Sequence, residues 1–230
     1  MGYGLVNEWT RILTGAGVPL TPEGLIAALE NPILHIRTGA AILLGRNNEV
    51  TAIPYLKSLL KDDLTVRVEA AMSLTLLKDN SGIPVLIEIL DGDVLTGAPV
   101  TAAGYLADLG DPRGYSIVLN ELGSRFTGNR LMAAAALKSF LQYHGKVING
   151  QKVDLFPVLK KAFNDQETTI RFEILYKLVK LDDRRIPALL SEISQSDSDE
   201  SVRQIAKKLL SSTSDTPEYL KSLHSRIKHP

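Results

Sequence analysis

The sequence predicts an all-α solenoid of about six helical hairpins, with a capping helix at each end. Three observations carry this. An arginine recurs at a near-constant interval, a pair of small residues follows it, and each interval holds two helix-periodic segments split by an Asp-rich break. No run shows the sustained alternation of half-buried strands.

The chain starts with "GLVNEWTRIL" (Gly4 to Leu13), an amphipathic segment assigned to an N-terminal cap over residues 1–20, with Trp9 packing on the first repeat. Repeats follow at 21–52, 53–82, 83–114, 115–155, 156–185 and 186–215. Arg37, Arg67, Arg130, Arg171 and Arg203 hold one equivalent position, and Pro99 replaces it in the third repeat. The separations are 30, 32, 31, 41 and 32 residues. Three and four residues on come Ala40-Ala41, Ala70-Ala71, Ala102-Ala103 and Ala133-Ala134; Ile174-Leu175 replaces the pair in the fifth repeat, and Ala206 alone remains in the sixth. Thr216 to Ile227 reads as a second amphipathic cap within 216–230.

The second repeat shows the physics. Ile53, Leu56 and Leu60 recur at helical spacing, as do Val66, Ala70, Leu74 and Leu77. Pro54 suits a first helical turn, where its missing N–H has no partner to lose. Asp62, Asp93, Asp165 and Asp197 stand in the breaks, where Asp caps a following helix. The Ala pairs let helices approach closely. One hairpin cannot bury its own apolar stripes, so it must stack on the next. "LGDPRG" (Leu109 to Gly114) is punctuation of this kind. Gly110 suits a left-handed helix stop, Asp111 a turn, Pro112 a block to continuation, and Gly114 frees the backbone before the next repeat.

The "IP-x-L" openings, the "VR-x-x-AA" segments and the "LGDPRG" ending together resemble the short HEAT-like repeats, also called phycobilin-lyase-type. The resemblance covers roughly Thr21 to Asp215. It implies a right-handed superhelix whose second helices line a concave, partner-binding face. One branch of the family acts on bilin chromophores.

Composition narrows function only broadly. Lys plus Arg equals Asp plus Glu, so no global charge draws the chain to nucleic acid. The absence of cysteine excludes thiolate metal sites and a cysteine nucleophile. No stretch approaches ~18 consecutive apolar residues and no secretory leader is evident, so a cytoplasmic protein is expected. None of the four histidines is followed by Glu, and no His pair stands at i, i+4. No catalytic, cofactor or metal residue is assigned, and the chain is expected not to be an enzyme.

Two sets of partner-binding candidates remain. Projecting the second helices gives a stripe containing Ile42, Glu69, Met72, Leu76, Met132, Tyr176 and Lys180, along with Gly39, Arg46, Asp108 and others. The long fourth interval places an insertion at "SFLQYHGKVINGQKVD", read as an extended loop or short hairpin, with Tyr143, His144, Lys146 and Lys152 as candidates. Arg37, Arg67, Arg130, Arg171 and Arg203 are read as a structural ladder paired with aspartates, Arg130 being the weakest because no Asp lies in the break before it. The expected function is a non-catalytic scaffold holding a protein or peptide. The alternative is a phycobilin-lyase-like or chaperone-like subunit acting on a chromophore or modified protein; nucleic-acid binding stands third.

Overall fold

The computed structural model describes residues 3–92, 97–148 and 150–214. The predicted C-terminal cap and Asp93 lie outside these residues. The chain forms two compact units, Met1–Ile117 and Val118–Pro230. Each is a stack of helical hairpins, the all-α solenoid architecture that the repeats predict.

In the first unit α1 (Tyr3–Gly15) precedes three hairpins: α2 (Pro22–Ala28) with α3 (Leu34–Arg46), α4 (Ile53–Ser58) with α5 (Leu64–Leu76), and α6 (Gly82–Leu90) with α7 (Ala98–Asp108). Short 3-10 turns flank α4. Local chemistry starts these helices as expected. Thr21 Oγ1 accepts the Gly24 N–H at 3.2 Å, with Pro22 in the first turn of α2. Pro54 and Pro99 likewise open α4 and α7.

Helix α8 (Tyr115–Glu121) leads into the second unit, which holds α9 (Thr127–Phe140), α10 (Leu155–Ala162) with α11 (Thr168–Leu178), and α12 (Ile186–Ser196) with α13 (Glu200–Ser214). The insertion after α9 is a short hairpin, β1 (Val147–Ile148) antiparallel to β2 (Gln151–Lys152). Of the two readings left open, the hairpin is the one formed.

The second helices of successive repeats pack on each other, α3 on α5 and α5 on α7 in one unit, α9 on α11 and α11 on α13 in the other. Small residues set the spacing. All four Ala pairs are fully buried, as are Ile174, Leu175 and Ala206. A Cβ on Gly45 would stand 2.6 Å from Ser73 Cβ, and Ser73 Oγ donates to the Ala41 carbonyl at 2.8 Å across the α3–α5 seam. Leucines fill the layers between, with Leu44, Leu56, Leu74, Leu86 and Leu106 in one unit and Leu137, Leu155, Leu159 and Leu190 in the other, all below 2% exposed or at zero. Burying each such side chain contributes about 2 kcal/mol.

Two expectations about the breaks change. Gly110 does stop α7 in the left-handed region, with φ +90°, and Asp111 Oδ1 accepts the Arg113 N–H at 3.1 Å. Gly114, however, is required by packing: a Cβ there would lie 2.3 Å from Ala103 Cβ. The aspartates of the breaks also do not cap the helices directly. Asp165 Oδ1 accepts from Glu167 N at 2.9 Å and Asp197 Oδ1 from Asp199 N at 2.8 Å, so each shapes the turn ahead of the helix. At α13 the capping is done by Asp199, whose Oδ1 accepts from Ser201 N and Val202 N.

Candidate functional site

Four of the five ladder arginines close their own turn, and three of these, Arg37, Arg130 and Arg171, also grip an aspartate of the next repeat. Nη1 reaches back to the carbonyls six and five positions earlier: Arg37 to Asn31 and Pro32, Arg130 to Ser124 and Arg125, Arg171 to Asp165 and Gln166, Arg203 to Asp197 and Ser198. This closes the turn of the arginine's own hairpin. The Nε and Nη2 edge then grips an aspartate of the next repeat. Arg37 holds Asp62 at 2.9 and 2.7 Å, Arg130 holds Asp165 at 2.6 and 3.2 Å, and Arg171 holds Asp197 at 3.0 Å twice. Bidentate geometry of this kind suits Arg and not Lys. Arg130 is therefore not the weak member, because its carboxylate comes from the repeat after it. Arg67 departs from the pattern: Nη2 meets Glu88 at 3.1 Å, and its buried Nε has no hydrogen-bond partner among the described residues. The guanidiniums of Arg37, Arg130 and Arg171 are thus committed to the stack.

Two stripe candidates and one insertion candidate are buried. Ile42 is 8% exposed, because α1 packs on α3 and covers that face; one turn earlier, a Cβ on Gly39 would meet the Trp9 ring at 2.7 Å. Tyr143 is also 8% exposed, its ring 6.0 Å from that of Phe140 as the insertion folds back on α9. None of these three can present a side chain to a partner. Leu76, Met132, Tyr176, Lys180 and Lys146 are exposed, Met72 and His144 partly so.

The second-helix face carries different chemistry in each unit. In the first, Glu69 of α5 is half-buried and accepts a 3.0 Å hydrogen bond from the Tyr105 hydroxyl of α7. Burial pushes the Glu69 carboxyl up, against the opposing pull of Tyr105 and Arg46. Burial, reinforced by Glu69, pushes the Tyr105 phenol well above its usual range, so Tyr105 is the fixed donor of the pair. A carboxyl made less acidic by burial thus shares its helix with partly exposed Met72 and exposed Leu76.

In the second unit Lys177 of α11 is buried, 7% exposed at the side chain, with Nζ 2.5 Å from Glu173 Oε2 and 3.1 Å from the Glu173 carbonyl. Burial lowers its pKa, Glu173 opposes this, and Lys180 and Lys138 of α9 add to the lowering. The exposed Tyr176 ring lies on the same helix.

Tyr105, Lys138 and Lys177 were not among the sequence candidates. Tyr105 and Lys177 each stand six residues after the arginine position, where the other repeats carry Leu43, Ser73, Ala136 and Leu209. A glutamate two residues after that position partners both, Glu69 for Tyr105 and Glu173 for Lys177. Polar residues in an otherwise small or apolar register were the available signal.

The insertion closes on the turn between the fifth and sixth repeats. Arg185 bridges Asp154 at 2.7 Å and Asp183 at 2.5 Å while stacking 4.2 Å from the Phe156 ring centroid. Arg185 holds the Asp183 carboxyl down to about 2. His144 Nδ1 accepts the Leu155 N–H at 3.1 Å, and Nε2 lies 3.4 Å from Asp183 Oδ2. His144, Asp154 and Asp183 are grouped closely enough to hold a cation. The hydrogen bonds oppose it: a metal on Nε2 would move the ring proton to Nδ1, against the Leu155 amide, and Arg185 already neutralises the carboxylates. This group is a clasp for the insertion.

No protein-family profile matches the chain. Over 110 residues, 44% of its length, it is 36% identical to phycocyanobilin lyase subunit alpha of Nostoc sp. strain PCC 7120. This match agrees with the resemblance of the repeats to the phycobilin-lyase type. The chain spans 38% of that relative's length. Among solved structures, the chain aligns with the complex of CpcE and CpcF of phycocyanin lyase from Nostoc sp. PCC7120 at 26% identity and a TM-score of 0.46, covering 87% of this chain and 77% of that one. It aligns with human deoxyhypusine hydroxylase at 18% identity and a TM-score of 0.35, covering 96% and 82%. Both scores fall below 0.5, so the sequence match carries the comparison. It also corrects the expectation of a non-catalytic chain, since the matching relative is the subunit of an enzyme. Among the described residues, no helix is long and apolar enough to cross a membrane.

Proposed function

We propose that this chain is a subunit of a bilin lyase, acting on a linear tetrapyrrole of the phycocyanobilin kind together with a second polypeptide. The observation that carries this reading is the 36% identity over 110 residues to a phycocyanobilin lyase subunit. Joining a group to a conjugated double bond, or removing one, moves a proton as well as the group. Glu69 is the side chain suited to that transfer, because burial makes its carboxyl less acidic than an ordinary glutamate's. Tyr105 fixes one carboxylate oxygen by donating to it, which holds the group in place. Met72 and Leu76 supply apolar surface alongside for a flat, largely apolar ligand.

The test is a visible-absorbance titration of phycocyanobilin with the chain, followed by the rate of chromophore transfer in the presence of the complementary subunit. The chain is expected to change the bilin spectrum. Glu69→Gln should bind bilin equally and transfer it about a hundredfold more slowly, the usual size of a lost acid–base group. A bilin spectrum that stays unchanged on adding the chain would refute the reading.

A further inference from the structure

Arg203 stands at the open end of the arginine ladder. Its Nη1 is fixed as in the other repeats, donating to the Asp197 carbonyl at 2.6 Å and the Ser198 carbonyl at 3.1 Å. In Arg37, Arg130 and Arg171 the same posture turns the Nε and Nη2 edge onto an aspartate of the following hairpin. On Arg203 that edge has no partner among the described residues. It is not shut away from solvent either, since the one buried side-chain atom among them that lacks a hydrogen bond is Arg67 Nε. The neighbouring surface of α13 is basic too. Four positions after the arginine, or after Pro99 in its place, Ala41, Ala71, Ala103, Ala134 and Leu175 are fully buried. The equivalent on α13 is exposed Lys207, with exposed Lys208 beside it.

We infer that the α13 end of the second unit is an interface for a second polypeptide built of helical hairpins, and that Arg203 takes an aspartate carboxylate from a turn of that polypeptide. The chain's own three pairs define the chemistry: a carboxylate in the break of a hairpin, held by two parallel N–H donors. The sequence narrows the source of that carboxylate. Arg37 and Arg171 find Asp62 and Asp197 at 25 and 26 positions, and at those offsets from Arg203 the sequence carries Lys228 and His229. A second copy stacked head to tail is also unsuited. Where Asp165 and Asp197 stand, six positions before Arg171 and Arg203, the first repeat has Asn31, and α1 already packs on α3. An acidic partner fits, because Glu200 alone opposes Arg203, Lys207 and Lys208 on α13. The inference rests on the bilin-lyase reading for the partner's identity and on the ladder for its chemistry.

The experiment titrates the complementary lyase subunit into the full chain by calorimetry, without bilin, for wild type, Arg203→Lys and Lys207→Gln/Lys208→Gln, with a thermal melt of each. Arg203→Lys keeps the charge and loses the fork, so affinity should fall about tenfold or more. The double lysine variant should bind about two- to fivefold more weakly and keep the wild-type melting temperature, both side chains being exposed. One aspartate in a hairpin turn of the subunit, changed to Asn, should weaken binding to wild type as much and binding to Arg203→Lys no further. If Arg203→Lys binds the subunit as tightly as wild type does, the inference falls and the bilin reading survives. An Asp215→Asn/Glu218→Gln variant that melts as far below wild type as Arg203→Lys does would assign the carboxylate to the chain itself. A wild-type dimer lost in Arg203→Lys would assign the face to a second copy. Either result overturns the inference, as does a wild-type chain that does not bind the subunit, while the bilin titration above decides the bilin reading separately.

Discussion

Arg130 on α9 holds Asp165, 35 positions later, with Nε 2.6 Å from Oδ2, and the same guanidinium closes its own turn on the Ser124 carbonyl at 3.1 Å. One side chain thereby fixes the inside of a repeat and its distance to the next. Both partners are largely buried, at 10% and 8% side-chain exposure. Arg130→Met should leave the Asp165 carboxylate buried and unpaired, costing about 3 kcal/mol. Urea unfolding measures this, and a double-mutant cycle with Asp165→Asn should return a coupling above about 1 kcal/mol. Additive single variants would show that the pair is incidental.

Acid should unravel these turns. Arg37 holds the Asp62 carboxyl down, and Arg185 does the same for Asp154 and, to about 2, for Asp183. Each carboxyl is more acidic folded than unfolded, so the unfolded chain takes up protons first as pH falls. The stability they contribute is full above about pH 4 and is lost between about pH 4 and 2. Asp183→Asn should be less stable than wild type at pH 7 and lose less across that window, as followed by circular dichroism. Equal losses in the two proteins would remove Asp183 from the account.

Glu69 has the opposite sign. Its carboxyl is less acidic folded than unfolded, so its contribution to stability declines as pH rises from the ordinary glutamate range through the folded value. Glu69→Gln keeps a carbonyl oxygen for the Tyr105 hydroxyl and removes the buried charge. The variant should melt higher than wild type at pH 8, with the difference vanishing near pH 4, while transferring chromophore more slowly. Greater stability at the expense of activity distinguishes a working group from a packing one. A variant that is both less stable and fully active would make Glu69 structural.

Gly114 is a contact residue. Gly114→Ala should destabilise by about 1–3 kcal/mol, because its Cβ would meet Ala103 Cβ. Adding Ala103→Gly should recover part of the loss, beyond what the two single variants predict when summed. If thermal melts show no recovery, the cost arises in the turn and not at the seam.

How far the sequence was legible follows from how many jobs a residue does. The arginine position could be read because four of the five arginines reach back to their own turn at the same offsets, and three also hold an aspartate of the next repeat. The exposed stripe was read less well. Ile42 sits at the same register as Tyr176, yet α1 covers one and nothing among the described residues buries the other. Periodicity gives a direction around a helix, and burial depends on the neighbour in that direction. Tyr143 was read as a partner-binding candidate, and its burial was not foreseen because the insertion folds onto α9, a tertiary choice without a local signature. Tyr105, Lys138 and Lys177 were missed because the projection sampled other positions. The polar residues at the buried register would have been visible in the same alignment of repeats.

Chromophore transfer tests the central claim most directly. The chain, its complementary lyase subunit, phycocyanobilin and an acceptor polypeptide are incubated together, and the acceptor's mass is recorded with and without the chain. The account predicts that the acceptor gains the mass of one bilin faster when the chain is present, and that Glu69→Gln lowers this rate about a hundredfold. A rate that is the same with and without the chain would contradict it.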